Sequence, residues 1–157
     1  MLSLARESAA GQSSTEYGYT SGGEPGNTID KFPFSSDTNA TDVGDLTQAR
    51  KEVTGQSSDT SGYSSGGEVF HPSGYIRVNT IDKFPFSSDA NATDVGDLTQ
   101  ARNGPSGQSS STYGYSSGGE TPPVVSTIDK FPFSSDTNAT DVGDLTNAVY
   151  AAAGQQV

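Results

Sequence analysis

A string of 19 residues, Ile-Asp-Lys-Phe-Pro-Phe-Ser-Ser-Asp-x-Asn-Ala-Thr-Asp-Val-Gly-Asp-Leu-Thr, occurs three times in this chain, at Ile29–Thr47, Ile81–Thr99 and Ile128–Thr146. Self-similarity at about 50 residues marks repeat architectures, in which each unit stacks on the next because it cannot bury its own apolar face alone. The chain therefore reads as one repeat domain over residues 1–157, with repeats at about 7–50, 51–102 and 103–149 and a tail at 150–157. Units so alike serve as scaffold, and function is sought where they differ.

Apolar side chains are scarce, at 30% of 157 residues. In the first repeat the sizeable ones are Tyr17, Tyr19, Ile29, Phe32, Phe34, Val43 and Leu46. Each contributes roughly 1.5–3 kcal/mol when buried, and every ordered backbone residue costs about 1–2 kcal/mol. One such unit does not stand alone, so a continuous array or an oligomer is expected.

The net charge is −11 with eight Lys and Arg, three of them at one repeat position, Lys31, Lys83 and Lys130. Phosphate backbones are repelled by such a surface, which argues against nucleic-acid binding. Cysteine is absent, so disulfides and thiolate metal sites are excluded. No apolar run approaches a membrane span, and Met1–Arg6 lacks the apolar stretch of a signal peptide, so any export is expected by another route, such as release inside an assembled particle.

Between repeats, Gly-Gln to Gly-Gly is a constant step of 11 (Gly11 to Gly22, Gly55 to Gly66, Gly107 to Gly118). Ile to Arg is a constant 21 (Ile29 to Arg50, Ile81 to Arg102), with Val149 replacing Arg in the third repeat. All length variation falls after the Gly pair: five residues in Glu24–Thr28, 13 in Glu68–Thr80 and eight in Glu120–Thr127. A loop that alone tolerates insertion is where repeat proteins place their binding face.

Aromatic residues two apart, Tyr17 and Tyr19, then Phe32 and Phe34, fit one face of a strand, and no helical periodicity is present. The only helix-friendly piece, Asn147–Ala153, is too short to hold a helix. Four strands per repeat are expected, in the first around Gly11–Ser14, Tyr17–Ser21, Thr28–Phe34 and Ala40–Leu46, with Ser-Ser-Asp-Thr-Asn as a turn. Pro33, Pro85 and Pro132 lack an N–H, which predicts that the third strand is an outer or irregular one.

This layout resembles a kelch repeat: an aromatic strand ending in a Gly pair (Tyr17-Gly-Tyr-Thr-Ser-Gly-Gly23), a variable loop, an aromatic-bearing strand, a turn, and a closing strand ending in Arg (Asp45-Leu-Thr-Gln-Ala-Arg50). Thr41, Thr93 and Thr140 stand where the kelch Trp is expected. The Ile-Asp-Lys-Phe block with Asn-Ala-Thr-Asp-Val-Gly-Asp-Leu-Thr is also similar to repeats of virion structural and tail-fibre proteins of tailed phages, particularly marine ones. The resemblance implies an all-β fold of kelch-like, propeller-type blades and a role at a virion or extracellular particle surface. Leu2–Arg6 copies the end of a repeat and Gly154-Gln155 the start of one. Three blades are too few for the usual ring, so closure by a second chain is expected, with a three-fold β-trefoil monomer as the rival arrangement.

Oxygen ligands recur at Asp37, Asn39, Asp42 and Asp45, at Asp89, Asn91, Asp94 and Asp97, and at Asp136, Asn138, Asp141 and Asp144, as a hard cation such as calcium needs. The spacing departs from the EF-hand, and turns capped by the same side chains explain the pattern without metal. No cofactor is expected. Asn39, Asn91 and Asn138 also head glycosylation sequons, which repetition makes one coincidence rather than three.

The longest loop carries Val69, Phe70, His71, Tyr75, Ile76 and Arg77, an aromatic-rich patch of the kind enriched at interface hot spots, expected to contact a partner or pack on a sister subunit. His71 is the only histidine, which leaves no Ser-His-Asp redundancy and no His-rich zinc site. Tyr17, Tyr19, Tyr63, Tyr113 and Tyr115 are expected to pack in the core beside the Gly pairs rather than stack on sugars. Together these readings anticipate a non-enzymatic structural or adhesion subunit, homo-oligomeric, contacting other particle proteins and a cell-surface glycan or receptor. The alternative is a carbohydrate-binding module working as a monomer.

Overall fold

Ser14, Ser58 and Ser110 each fold a tight turn back on itself, and these three turns start the three sheets. The Ser14 N–H donates to the Tyr17 carbonyl at 2.9 Å, while the Tyr17 N–H donates to Ser14 Oγ at 3.0 Å. The same pair of bonds recurs at Ser58 with Ser61 and at Ser110 with Tyr113. In this computed structural model, which describes residues 5–154, the chain forms fifteen strands, and no helix occurs among the described residues.

The first repeat holds β1 (Ala10–Ser13), β2 (Tyr17–Ser21), β3 (Thr28–Pro33) and β4 (Thr41–Asp45). Then come β5 (Arg50–Lys51), β6 (Thr54–Ser57), β7 (Ser61–Ser65), β8 (Glu68–His71), β9 (Gly74–Arg77), β10 (Thr80–Pro85) and β11 (Thr93–Asp97). The third repeat holds β12 (Ser106–Ser109), β13 (Tyr113–Ser117), β14 (Thr127–Pro132) and β15 (Thr140–Asp144). Three antiparallel sheets follow, β1-β2-β3-β4, β6-β7-β10-β11 and β12-β13-β14-β15, each a meander within one repeat. A fourth, three-stranded sheet, β5-β8-β9, is peculiar to the second repeat.

The fold is thus all-β, with three four-stranded repeats stacked like propeller blades. A β-trefoil does not fit, because each repeat completes its own sheet and no ladder joins the four-stranded sheets to one another. The third strand of each repeat is not an outer one, although it is irregular. It lies inside the sheet, between the second and fourth strands, and Pro33, Pro85 and Pro132 stand at its last residue. There the ladder with β4 has already ended, at Lys31 opposite Thr41, so no N–H is needed on that side. The irregularity is instead a bulge between Ile29 and Asp30, repeated at Ile81/Asp82 and Ile128/Asp129.

The core lies between repeats. Tyr19 of the first stacks on Phe86 of the second at 4.8 Å between ring centroids and tilts against Phe84 at 5.6 Å. Tyr63 meets Phe133 and Phe131 of the third at 4.9 and 5.5 Å. Ile29 and Leu46 complete the first cluster, Ile81 and Leu98 the second. This is how so few apolar groups suffice: at each of the two joints the rings of one repeat are buried against the next.

Buried ion pairs tie the same joints. Arg50 Nη2 lies 2.9 Å from Asp82 and Arg102 Nη2 2.9 Å from Asp129, all fully buried, and Arg6 holds Asp30 likewise at 2.7 Å. Thr47 and Thr99 add hydroxyl donors to Asp82 and Asp129 at 2.7 and 2.6 Å. Innermost, β1, β6 and β12 approach so closely that a Cβ on Gly55 would lie 2.1 Å from the Gly11 carbonyl oxygen, and one on Gly107 2.2 Å from that of Gly55. They bound a cavity of about 500 Å³, lined by Gly11, Thr54, Gly55 and Gly107 with Tyr150 at its edge.

Candidate binding face

An up-and-down meander sends alternate connections to opposite ends. The β1–β2, β6–β7 and β12–β13 turns gather at one end around a hydroxyl-rich basin of about 560 Å³, lined by Ser13–Thr15, Ser57–Asp59 and Ser109–Ser111. The loops of variable length gather at the other end, together with the connections between repeats. They begin at Gly22-Gly23, Gly66-Gly67 and Gly118-Gly119, all at positive φ (65° and 93° in the first pair), where a Cβ would be strained.

The 13-residue segment Glu68–Thr80 is not a loop. It forms the β8–β9 hairpin, with Val69 opposite Ile76 and Phe70 opposite Tyr75, and its open edge pairs with β5 through Arg50 and Lys51. Four of the six expected contact residues stand exposed: Phe70 (74%), Ile76 (46%), Tyr75 (40%) and His71. Val69 and Arg77 are half-buried. His71 Nδ1 bonds only the neighbouring Ser73 Oγ, at 2.7 Å, and the Ser73 N–H, which closes the hairpin tip.

Tyr75 and Arg77 root the hairpin in a charged network. The Tyr75 hydroxyl donates to Glu24 Oε1 at 2.5 Å, Lys51 Nζ bridges to Glu24 Oε2 at 2.7 Å, and that ammonium lies 3.8 Å from the centre of the Tyr75 ring. Phe70 meets Tyr75 edge-on at 5.8 Å, and these groups line a cleft of about 210 Å³ with Pro25, Arg50 and Glu68. Arg77 donates to Asn103 Oδ1 at 2.9 Å and to Glu120 Oε2 at 2.8 Å. Asn103 Nδ2 in turn donates to Glu52 at 2.6 Å and Glu68 at 3.1 Å, and the Tyr150 hydroxyl donates to Glu52 at 2.5 Å.

Charge shapes the acidities there. Hydrogen bonds from Lys51 and then Tyr75 hold the Glu24 carboxyl below its ordinary range, and the bond to Glu24 pushes the Lys51 ammonium up. Burial, then the neighbouring Glu52 charge, raises Glu68. Its bond to Glu52 pushes the Tyr150 phenol up to about 12. The face thus offers carboxylates, an ammonium, a guanidinium and exposed rings, an inventory suited to hydroxyl-rich or polar ligands.

Glu24, Lys51, Glu52, Asn103, Glu120 and Tyr150 were not singled out by the sequence reading. One signal was available: Glu follows the Gly pair in all three repeats, as Glu24, Glu68 and Glu120, at the root of each variable loop.

The candidate cation ligands take part in turns and joints: Asp37, Asn39 and their counterparts lie between the third and fourth strands toward the opposite end, whereas Asp45, Asp97 and Asp144 end the outer strands opposite Thr28, Thr80 and Thr127, beside the variable loops. Asp42, Asp94 and Asp141 accept from the N–H of Gly44, Gly96 and Gly143 at 3.2, 3.2 and 3.0 Å. Asn91 accepts from the Asp45 N–H at 3.0 Å and Asn138 from that of Asp97 at 3.1 Å, each across a joint between repeats. Lys31 pairs with Asp89 at 2.5 Å and Lys83 with Asp136 at 2.9 Å, while Asp144 accepts from Ser126 Oγ at 2.7 Å. Asp37 and Asn39 stand exposed on the first repeat. Among the described residues no three acidic or histidine side chains converge as a metal cluster. Of the tyrosines, Tyr19 and Tyr63 are core, Tyr17 and Tyr115 are half-buried and Tyr113 is 37% exposed. Leu2–Leu4 and Gln155 lie outside the described residues. No described helix is long and apolar enough to cross a membrane.

No known family matches the chain, and no curated protein does. Among solved structures it is similar to that of YjhT, with a TM-score of 0.79 and 13% sequence identity over 92% of this chain and 52% of that one. At that identity the likeness is one of fold, and this chain spans about half the length of YjhT.

Proposed function

We propose that this protein is a non-enzymatic adhesion or structural subunit that uses its variable-loop end to hold a polar ligand, a cell-surface glycan or receptor, at the surface of a virion or similar extracellular particle. The observation that carries the reading is the coincidence of two features: all insertion between repeats falls at one end of the stack, and that end bears the Glu24–Lys51–Tyr75 and Arg77–Glu120–Asn103 clusters. Rigid blades hold the face in place, and copy number on a particle multiplies weak contacts into useful avidity. The particle setting rests on the resemblance of the repeated block to virion proteins.

Glycan arrays probed with the wild type, Tyr75→Ala and Arg77→Ala test the binding role. Specific signal lost in both variants supports it; wild-type binding to neither glycans nor particle proteins in cross-linking of the assembled particle defeats it. The exposed Phe70 and Tyr75 rings favour a second reading, a carbohydrate-binding module acting alone. Sugar binding by a dilute monomer, with no association to particles, selects that one.

A further inference from the structure

The two joints between repeats follow one design, and the chain carries both halves of a third. At each joint a tyrosine of one repeat stacks on two phenylalanines of the next, as Tyr19 does on Phe84 and Phe86 and Tyr63 on Phe131 and Phe133. A lysine reaches an aspartate, as Lys31 does Asp89 and Lys83 Asp136. A glycine of the outer strand admits a carbonyl: a Cβ on Gly44 would lie 2.5 Å from the Ala90 oxygen, and one on Gly96 2.6 Å from that of Thr137.

The third set is split between the two ends of the stack. Repeat 3 presents Tyr115, Lys130 and Gly143, and a Cβ on Gly143 would meet nothing within 4 Å. Repeat 1 presents Phe32, Phe34 and Asp37, with Phe34 56% exposed where its counterparts Phe86 and Phe133 are half-buried. We infer that these halves join head to tail between two copies of this chain, closing one ring. Lys130 then pairs with Asp37 of the partner subunit, and Tyr115 stacks on Phe32 and Phe34 of the partner subunit. Two copies are favoured because rings of this kind carry about four to eight blades, which one set of three repeats does not reach and two sets do.

The inner strands show what must move. Backbone bonds run in a column, from Glu52 N–H to Ser8, from Gly104 N–H to Glu52 and from Ala151 N–H to Gly104. Three residues on, Gly11, Gly55, Gly107 and Gly154 form a second column, in which a Cβ on each of the last three would press on the carbonyl of the one before, that of Gly154 only 1.9 Å from Gly107. Val149–Gly154 therefore fills, residue for residue, the place that Arg6–Gly11 of an incoming copy needs. Arg6 brings a buried pair with Asp30 at 2.7 Å, whereas Val149, at the Arg position of repeat 3, brings none. The incoming segment wins and the tail is displaced, so the tail acts as a built-in competitor of ring closure.

The proposal is independent of which ligand the loops hold. Light scattering or sedimentation of the purified chain over a concentration series is expected to give twice the 16.2 kDa chain mass. Deleting residues 150–157 is expected to tighten association about tenfold or more. Gly11→Ala, whose Cβ meets nothing within 4 Å in the single chain, is expected to weaken association while leaving the melting temperature of the dilute monomer unchanged, and Phe34→Glu to abolish association. Lys130→Glu and Asp37→Lys each weaken it, and the two combined in one chain restore it. A wild type and tail deletion that stay monomeric, open polymers instead of pairs, association unchanged by Gly11→Ala and Phe34→Glu, or no recovery in the charge exchange each overturn the inference. Unchanged affinity on tail deletion overturns the tail's part in it.

Discussion

Replacing Arg50 with alanine tests whether the joints between repeats, rather than the sheets, carry this fold. The guanidinium is fully buried and donates to the carbonyls of Gly66, Thr80 and Ser64 at 2.7, 2.8 and 3.0 Å as well as pairing with Asp82 at 2.9 Å. Removing one partner of a buried ion pair costs about 3–5 kcal/mol, because a desolvated charge is left behind. Asp82 keeps the Thr47 N–H and hydroxyl at 3.0 and 2.7 Å, which holds the loss within that range instead of beyond it. Arg102 supplies an internal control. It bonds the Ser116 carbonyl and Asp129, both at 2.9 Å, while its Nε and Nη1 find no acceptor among the described residues. Two fewer carbonyl bonds, each worth about 0.5–1.5 kcal/mol net, make Arg102→Ala the milder change by about 1–3 kcal/mol. Urea unfolding of both variants at matched slope reads the difference directly. Arg50→Met with Asp82→Leu, which removes both charges, is expected to lose less than Arg50→Ala alone. A loss under about 1 kcal/mol for Arg50→Ala, or the reverse order of the two alanine variants, refutes the reasoning.

Gly55→Ala drives a methyl to 2.1 Å from the Gly11 carbonyl oxygen and is expected to cost about 1–3 kcal/mol or more by thermal unfolding, whereas Gly11→Ala is neutral in the single chain. Because Glu68 is raised above its ordinary value, the native state binds its proton more tightly than the unfolded chain does. Its ionisation is unfavourable at neutral pH and the penalty is relieved as pH falls through the raised value, so Glu68→Gln stabilises the protein at about pH 7 and not at about pH 4. Glu24 has the opposite sign: lowered by Lys51 and Tyr75, it contributes above the ordinary carboxylate range and that contribution is lost on acidification. Protection of the β8–β9 amides from hydrogen exchange, taken relative to the intrinsic rate at each pH, is accordingly expected to fall in acid and in Tyr75→Ala or Lys51→Ala, with that of β10 and β11 unchanged.

Much of the architecture was legible in the sequence. The second strand of the first repeat spans Tyr17–Ser21 as read, the flanking strands differ by one residue at their ends, and Tyr19 and Tyr63 are buried in the core, though against rings of the next repeat rather than beside the Gly pairs. Each of these depends on short-range rules: alternation along a strand, Ser and Asp turns, positive φ at glycine. Pro33 misled because its missing N–H says that some pairing must be lost but not on which side, and the strand gave it up at its last residue. The hairpin of the second repeat was hidden because Glu68–His71 and Gly74–Arg77 are too short to show a period.

By itself, then, the sequence determined the unit, its four strands, the constant frame and the one place where insertion is allowed, since all of these are written in local pattern and repeated three times over. Only the tertiary structure decided that Arg50 belongs to Asp82, that Lys31 belongs to Asp89, and that Glu24, Lys51 and Tyr75 meet at one end. Those partners lie 24 to 58 residues apart, and the stacking of one sheet on another, which no local periodicity encodes, is what brings them together.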